Sequence, residues 1–330
     1  MASQQNCTEP NREDLPLVLL HYQPPFDIHI FKHHLRPYFR LLDPSELPEP
    51  TNPFSSRAKS LRALVSVGIF PVTRETLSLL PSLELVVGSS AGVNHIDLQE
   101  CRRRGIAVTN TGPAFCEDAA DYAVALLIDV LRRLSACDRY VRDGLWPEKG
   151  DYPLALKLGG KRVGIVGLGN IGSEVAKRLL AFGCSIAYNS RRKKDSVSFP
   201  YYANVSDLAT NSDVLILCCP LTDETRHMIN KDAMNALGKE GVIINIGRGA
   251  LVDEKELVQF LVNGDIRGAG LDVFENEPHV PEKLYALDNV VLSPHRAVIT
   301  PESFEAAVKL VLANLKAFFS NEPLLSPVQN

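Results

Sequence analysis

The sequence predicts an α/β protein built from two doubly wound parallel sheets. Three observations carry that prediction. The chain has 330 residues, more than a single hydrophobic core usually holds. Short apolar runs alternate with helical stretches in two separate series, as parallel strands joined by crossover helices do. A glycine-rich turn follows the first strand of the second series, where such a fold binds phosphate groups.

The first series opens with Pro16 to His21 (PLVLLH) and continues with Arg62 to Val67, Leu83 to Gly88 and Ile106 to Asn110. Each is short and apolar enough to be a buried strand. Thr73 to Leu80 and Asp97 to Arg104 read as helices between them, and Pro44 to Pro53 reads as a proline-rich loop. Glu117 to Arg133 is a long helix whose apolar residues leave no clear polar face before Asp129. Such a helix must be covered on all sides, by both domains or by a second subunit. The second series places strands at Arg162 to Val166, Ser185 to Asn189, Asp213 to Cys218, Gly241 to Ile246, Gly268 to Asp272 and Val290 to Ser293. Pro301 to Phe319 closes the chain as an amphipathic helix, with Val308, Leu310, Val311, Leu315 and Phe318 on its apolar side.

Bulk properties narrow the function. A formal net charge of -4 argues against a nucleic-acid binder, which usually shows a basic face. No apolar run is long enough to span a bilayer, so no membrane partner is expected. The N-terminal segment has no apolar signal core and carries Glu9, Glu13 and Asp14; a cytosolic protein is the expectation. Seven scattered cysteines without metal spacing read as reduced thiols, and no metal is expected. Cys116 is either a small core residue or a reactive thiol near the proposed cleft.

The glycine turn is Gly167-Leu168-Gly169-Asn170-Ile171-Gly172. Alone the pattern is weak, but here a strand precedes it and a helix follows, which is the context of a Rossmann dinucleotide site. Gly167 permits the tight turn, Gly169 lets backbone approach a pyrophosphate, and Gly172 lets helix and strand pack closely. A unit specific for NAD carries an acid about twenty residues further on. In its place stand Asn189-Ser190-Arg191-Arg192-Lys193-Lys194. Ser190, Arg191 and Arg192 suit an adenosine ribose bearing a 2′-phosphate, because arginine grips phosphate with paired hydrogen bonds. NADPH is therefore the expected cofactor and NADH the less favoured one; a solvated basic loop is the plainer reading of the same residues.

The segments GLGNIG at Gly167, INIGRGALVDEKEL at Ile244, GAGLDVFENEPHVP at Gly268 and NVVLSPH at Asn289 resemble the D-isomer-specific 2-hydroxyacid dehydrogenases, in order and over nearly the whole chain. Within that family the chain looks most like glyoxylate/hydroxypyruvate reductases and their hydroxyphenylpyruvate-reducing relatives. The resemblance implies a flavodoxin-like substrate domain (1–115 and 300–330) into which a Rossmann cofactor domain (116–299) is inserted, and a homodimer. It implies Arg248, Glu277 and His295 as the catalytic set. It also implies cofactor contacts at Cys219, Pro220, Ile246, Gly247 and Asp272, and substrate contacts through the backbone of Ala91, Gly92 and Val93. On chemistry alone Asp272 is equally a loop cap. Trp146, the single tryptophan, either closes a partner subunit's pocket or packs in a core.

All three members of the catalytic set sit just past the carboxyl ends of expected strands, where open α/β sheets bind ligands. Reducing a 2-oxo acid requires a cation for the carboxylate and carbonyl, a proton and a hydride. Arg248 suits the first as a permanently charged fork, and His295 the second, with Glu277 favouring its protonated form. The hydride is the cofactor's. The chain departs from the family after His295, where Arg296-Ala297-Val298-Ile299-Thr300 replaces a glycine-rich run. Those residues, with Phe70 and Pro71, favour small substrates such as glyoxylate and hydroxypyruvate. A 4-hydroxyphenylpyruvate reductase remains open, as does a non-enzymatic, corepressor-like dinucleotide sensor. His33, His34 and His227 carry no functional argument.

Overall fold

The computed structural model describes residues 12–23, 28–46 and 58–328. They form two compact units, one drawn from the chain up to Ala114 and again from Pro301 onward, the other Phe115–Thr300.

In the first unit the strands are β1 (Leu17–His21), β2 (Arg40–Leu42), β3 (Ala63–Ser66), β4 (Leu85–Gly88) and β5 (Ala107–Thr109). The helices α1 (His29–Leu35), α2 (Arg74–Ser78) and α3 (Leu98–Arg104) connect them. All pairings are parallel, in the order β2-β1-β3-β4-β5, the flavodoxin-like sequence of strands. Side chains alternate across the sheet, as the strand period of two demands. Leu17, Leu19, Leu64 and Val86 meet Leu77 and Cys101 on one face. Val18, Leu20, Val65 and Val87 meet Phe31, Leu35, Val308, Val311 and Leu315 on the other. The last helix, Pro301–Phe319, thus belongs to this unit's core although it lies far away in sequence.

The second unit begins with α4 (Cys116–Arg132), α5 (Leu134–Arg142) and α6 (Leu145–Lys149). Then follow β6 (Arg162–Val166), α7 (Asn170–Ala181), β7 (Ser185–Asn189), β8 (Tyr201–Tyr202), α8 (Val205–Thr210), β9 (Val214–Leu217), α9 (Lys231–Leu237), β10 (Val242–Asn245), α10 (Glu254–Asn263), β11 (Gly268–Leu271) and β12 (Val290–Leu292). The sheet order is β12-β11-β10-β9-β6-β7-β8, parallel throughout. This is the doubly wound dinucleotide arrangement, with its reversal between β6 and β9. Because every strand runs the same way, all their carboxyl ends share one edge. One face is covered by α4 and α7 through Ala123, Leu127, Val175 and Leu179, the other by α8, α9 and α10 through Leu208, Met234 and Phe260.

Several expectations need correction. Strand β2 and strand β8 were not anticipated; each is an edge strand of two or three residues, too short for an alternation to register. Helices α5 and α6 were missed because their apolar residues Leu134, Val141 and Trp146 point outward and imitate a loop. Helix α4 is not apolar all round. Glu117, Asp121, Ala125 and Arg132 form one narrow exposed stripe, and the rest is buried or half-buried, packed on its own unit's sheet and α7. Of the proline-rich stretch, Pro44–Glu46 makes a single 3-10 turn, while 47–53 lie outside the described residues, as do the N-terminal residues 1–11.

Candidate active site

The carboxyl edge of the second sheet collects nearly every site residue expected in that unit. In strand order along it come the basic loop after β7, the glycine turn after β6, Cys219 and Pro220 after β9, Ile246 to Arg248 after β10, Asp272 to Glu277 after β11, and His295 after β12.

The glycine turn is shaped by contacts that only glycine tolerates. Gly167 sits at φ +95, and a Cβ there would lie 2.6 Å from the Cys219 amide nitrogen. A Cβ on Gly172 would lie 2.3 Å from the Gly167 carbonyl oxygen, so this position sets how closely α7 approaches β6. A Cβ on Gly169 would meet nothing within 4 Å; the space in front of it is open. Gly169 is also the N-cap of α7 and offers no side-chain cap, which leaves the first-turn amides at Asn170 and Ile171 facing outward with the positive end of the helix dipole. An uncapped helix start behind an open cradle is what a pyrophosphate requires, so these residues fit a dinucleotide.

The basic loop after β7 is braced from below. Tyr188 Oη accepts the Lys194 amide at 2.8 Å, Tyr201 Oη donates to Ser190 O at 3.2 Å, and the two rings stand 5.4 Å apart. Ser190 Oγ donates to Arg192 O at 2.6 Å. Arg191 and Arg192 are exposed. Among the described residues no carboxylate forms an ion pair with Arg192, and Arg191 is placed so that its charge acts on Glu224. The loop therefore presents cations from a fixed backbone.

At the other end of the edge, His295 Nδ1 lies 2.8 Å from Glu277 Oε2. Glu277 Oε1 accepts the Phe274 amide at 3.1 Å. Burial opposes ionisation of Glu277, but the hydrogen bond and charge of His295, the Phe274 amide and the charge of Arg248 outweigh it, and its carboxyl is held below the usual carboxylate range. An ionised Glu277 only accepts, so the hydrogen between the pair sits on Nδ1 and leaves Nε2 for other work. Arg248 is half-buried; desolvation pulls its guanidinium below its ordinary value, against the charge of Glu277, which pulls the other way.

Two side chains hold these loops. Asp272, fully buried, takes the Ser293 hydroxyl and the Arg296 amide on Oδ1 and the Ala297 amide on Oδ2. Its own carbonyl accepts the His295 amide at 2.8 Å. The structure thus gives Asp272 the work of capping the loop that carries His295, which itself sits at φ +53. Asn245 was not anticipated. It is 1% exposed, donates from Nδ2 to Arg248 O at 2.9 Å and accepts the Gly247 amide at 3.1 Å. Nothing in sequence distinguishes it from any other strand-end asparagine. Ile246 is buried, and a Cβ on Gly247 would collide with Leu251.

The model of the D-isomer specific 2-hydroxyacid dehydrogenase NAD binding domain matches residues 124–297. The chain belongs to that family. The glyoxylate/hydroxypyruvate reductase HPR3 of Arabidopsis thaliana is 58% identical over 95% of this chain and 97% of its own length. The hydroxyphenylpyruvate reductase of Plectranthus scutellarioides is 51% identical over 82% of this chain and 87% of its own. Among solved structures, the NADPH-dependent glyoxylate/hydroxypyruvate reductase of Sinorhizobium meliloti, in complex with NADP and malonate, superposes with a TM-score of 0.86 at 37% identity, covering 95% of this chain and 96% of that one.

The remaining expected residues lie elsewhere. In the first unit, the loop after β4 turns its carbonyls inward. Ser90 O accepts the Thr111 amide, Ala91 O the Asn110 side chain, and Gly92 O the Ser90 hydroxyl. Among the described residues no protein group accepts the amides of Ala91, Gly92 and Val93, as an anion-binding nest requires. Trp146 on α6 is 58% exposed, which removes the core reading. Cys116 is buried, and burial with Glu174 and Glu117 nearby pushes its thiol up; it is not a reactive thiol. Among the described residues no helix is long and apolar enough to cross a membrane.

Proposed function

We propose that this dehydrogenase reduces glyoxylate, hydroxypyruvate and similar small 2-oxo acids to 2-hydroxy acids, of D configuration where the product is chiral, with NADPH as reductant. The observation that carries the reading is the His295–Glu277 pair at 2.8 Å, with Arg248 within reach of the same carboxylate's charge. Arg248 binds the substrate carboxylate and polarises its carbonyl. His295 holds a proton at Nε2 and gives it to the carbonyl oxygen, while Glu277 keeps the ring oriented and offsets its positive charge. When bound, the reduced nicotinamide supplies the hydride. The glycine turn, Cys219 and Pro220, and Ile246 and Gly247 would hold the cofactor along the edge, with Ser190, Arg191 and Arg192 at its 2′-phosphate. The amides of Ala91, Gly92 and Val93 would take the substrate carboxylate.

The likeness to the Plectranthus enzyme favours 4-hydroxyphenylpyruvate as a second substrate. The half-buried Val298 and Ile299 beside His295 favour the smaller acids. The reading includes a homodimer, supported by the exposed Leu134, Val141, Trp146 and Leu154 on and beside α5 and α6. It also includes a cytosolic setting, where free thiols such as Cys137 and Cys218 stay reduced. The test is NADPH and NADH consumption with glyoxylate, hydroxypyruvate and 4-hydroxyphenylpyruvate. The reading expects the highest kcat/KM for a small acid with NADPH. No turnover of any of the three would overturn it and leave a dinucleotide sensor.

A further inference from the structure

One histidine outside the catalytic set touches two of the three loops that carry it. His227 sits at φ +52, a left-handed conformation uncommon for a side chain other than glycine. Its amide donates to Ala250 O at 2.8 Å, two residues past Arg248. Its ring Nε2 lies 2.7 Å from Glu275 Oε1, two residues before Glu277. The next pairing along, Ile229 N to Leu251 O at 3.0 Å, continues the same seam. The Arg248 turn and the Glu277 loop also abut directly, since a Cβ on Gly249 would lie 1.9 Å from the Phe274 carbonyl carbon.

The His227 ring meets a loop that already faces another carboxylate. Glu254 accepts the Glu275 amide at 3.0 Å. Its carboxyl is pushed up by burial and by the charges of Glu275 and Glu277, against the pull of that hydrogen bond. Glu254, the first residue of α10, therefore lies close to Glu275 and Glu277 of this loop. Arg226, at 3.5 Å from Glu275, is exposed and at the limit of hydrogen-bond reach. The His227 ring is the short contact.

We infer that His227 is a positioning residue: its backbone grips the Arg248 turn and its ring grips the Glu277 loop, so that guanidinium and carboxylate keep one fixed separation. The inference rests on the proposed reduction of 2-oxo acids. A displacement of about 1 Å in a reacting group costs on the order of a hundredfold in rate.

The test compares the unmodified protein with His227→Ala and His227→Gln. Both variants carry the same left-handed backbone burden, but only glutamine keeps a donor that reaches Glu275. Turnover of hydroxypyruvate and NADPH is measured together with hydrogen exchange over residues 272–278. His227→Ala is expected to lower kcat about 10- to 100-fold with a smaller effect on KM for NADPH, because the phosphate-binding turns follow β6 and β7. Exchange over 274–277 is expected to quicken. His227→Gln is expected to restore most of both. Wild-type kcat in His227→Ala, or a glutamine variant as slow as the alanine one, would overturn the inference. Should the unmodified protein consume no NADPH with any 2-oxo acid, the reaction reading fails on its own. The exchange arm then still decides whether His227 holds the loop, and unaltered exchange in His227→Ala counts against it.

Discussion

The proposed preference for NADPH rests on a few side chains at the end of β7. Where an acid would accept the ribose hydroxyls of NADH, Ser190, Arg191 and Arg192 stand on a loop pinned by Tyr188 and Tyr201. A fixed backbone matters because a guanidinium loses less freedom on gripping phosphate when its anchor does not move. Changing Arg191 and Arg192 together to Ala should raise KM for NADPH about tenfold or more, since charge-assisted bonds are worth roughly 1.5–3 kcal/mol each. KM for NADH should barely change. Steady-state titration of both cofactors checks this, and equal effects on the two would refute it. Arginine is legible in sequence because its charge and its absence of an acidic neighbour are both visible there. The two tyrosines that steady the loop are not, because their hydroxyl partners are backbone groups brought near only by folding. The same holds for Asn245 and His227. Each acts on backbone of another loop, and a single asparagine or histidine leaves no local pattern.

At the scale of elements, parallel strands do most of the placing. Long apolar runs such as LVLLH and RVGIV announce strands buried on both faces, and the structure finds them within a residue or two of the expected bounds. Once all strands of the second sheet run one way, Arg248, Asp272 and His295 share an edge without further instruction. What the runs do not encode is how tightly the loops past those strands abut. Gly249 shows the tolerance. Its missing Cβ would sit 1.9 Å from the Phe274 carbonyl carbon and 2.2 Å from the Glu275 nitrogen, and backbone atoms have no rotamer by which to yield. Gly249→Ala should therefore lower both the melting temperature and kcat, the latter by on the order of 10² through displacement of Glu277. Circular dichroism melting with a turnover assay reads both, and a variant with unaltered kcat would show that the two loops need not touch. Edge strands β2 and β8 and helices α5 and α6 escaped the sequence for the opposite reason: they are short or face solvent, so burial imposes no periodicity on them.

At the scale of the whole molecule, the last helix returns to the first unit's core through Val308, Val311 and Leu315, so the second unit lies within the first along the chain. The amphipathic stripe of that helix is readable in sequence, but its destination is not, because periodicity says which face is buried and never against what. The α5–α6 segment is the reverse case. Its Leu134, Val141 and Trp146 are exposed, and the proposed dimer would cover them. Light scattering of the purified protein at micromolar concentration should give twice the monomer mass, and a monomer would contradict the dimer. The account depends above all on His295 as proton donor. The direct measurement is kcat of His295→Ala for hydroxypyruvate at saturating NADPH. A fall on the order of 10² to 10⁴, the usual worth of general acid catalysis, with NADPH binding intact, is the expected result; near wild-type turnover would contradict it.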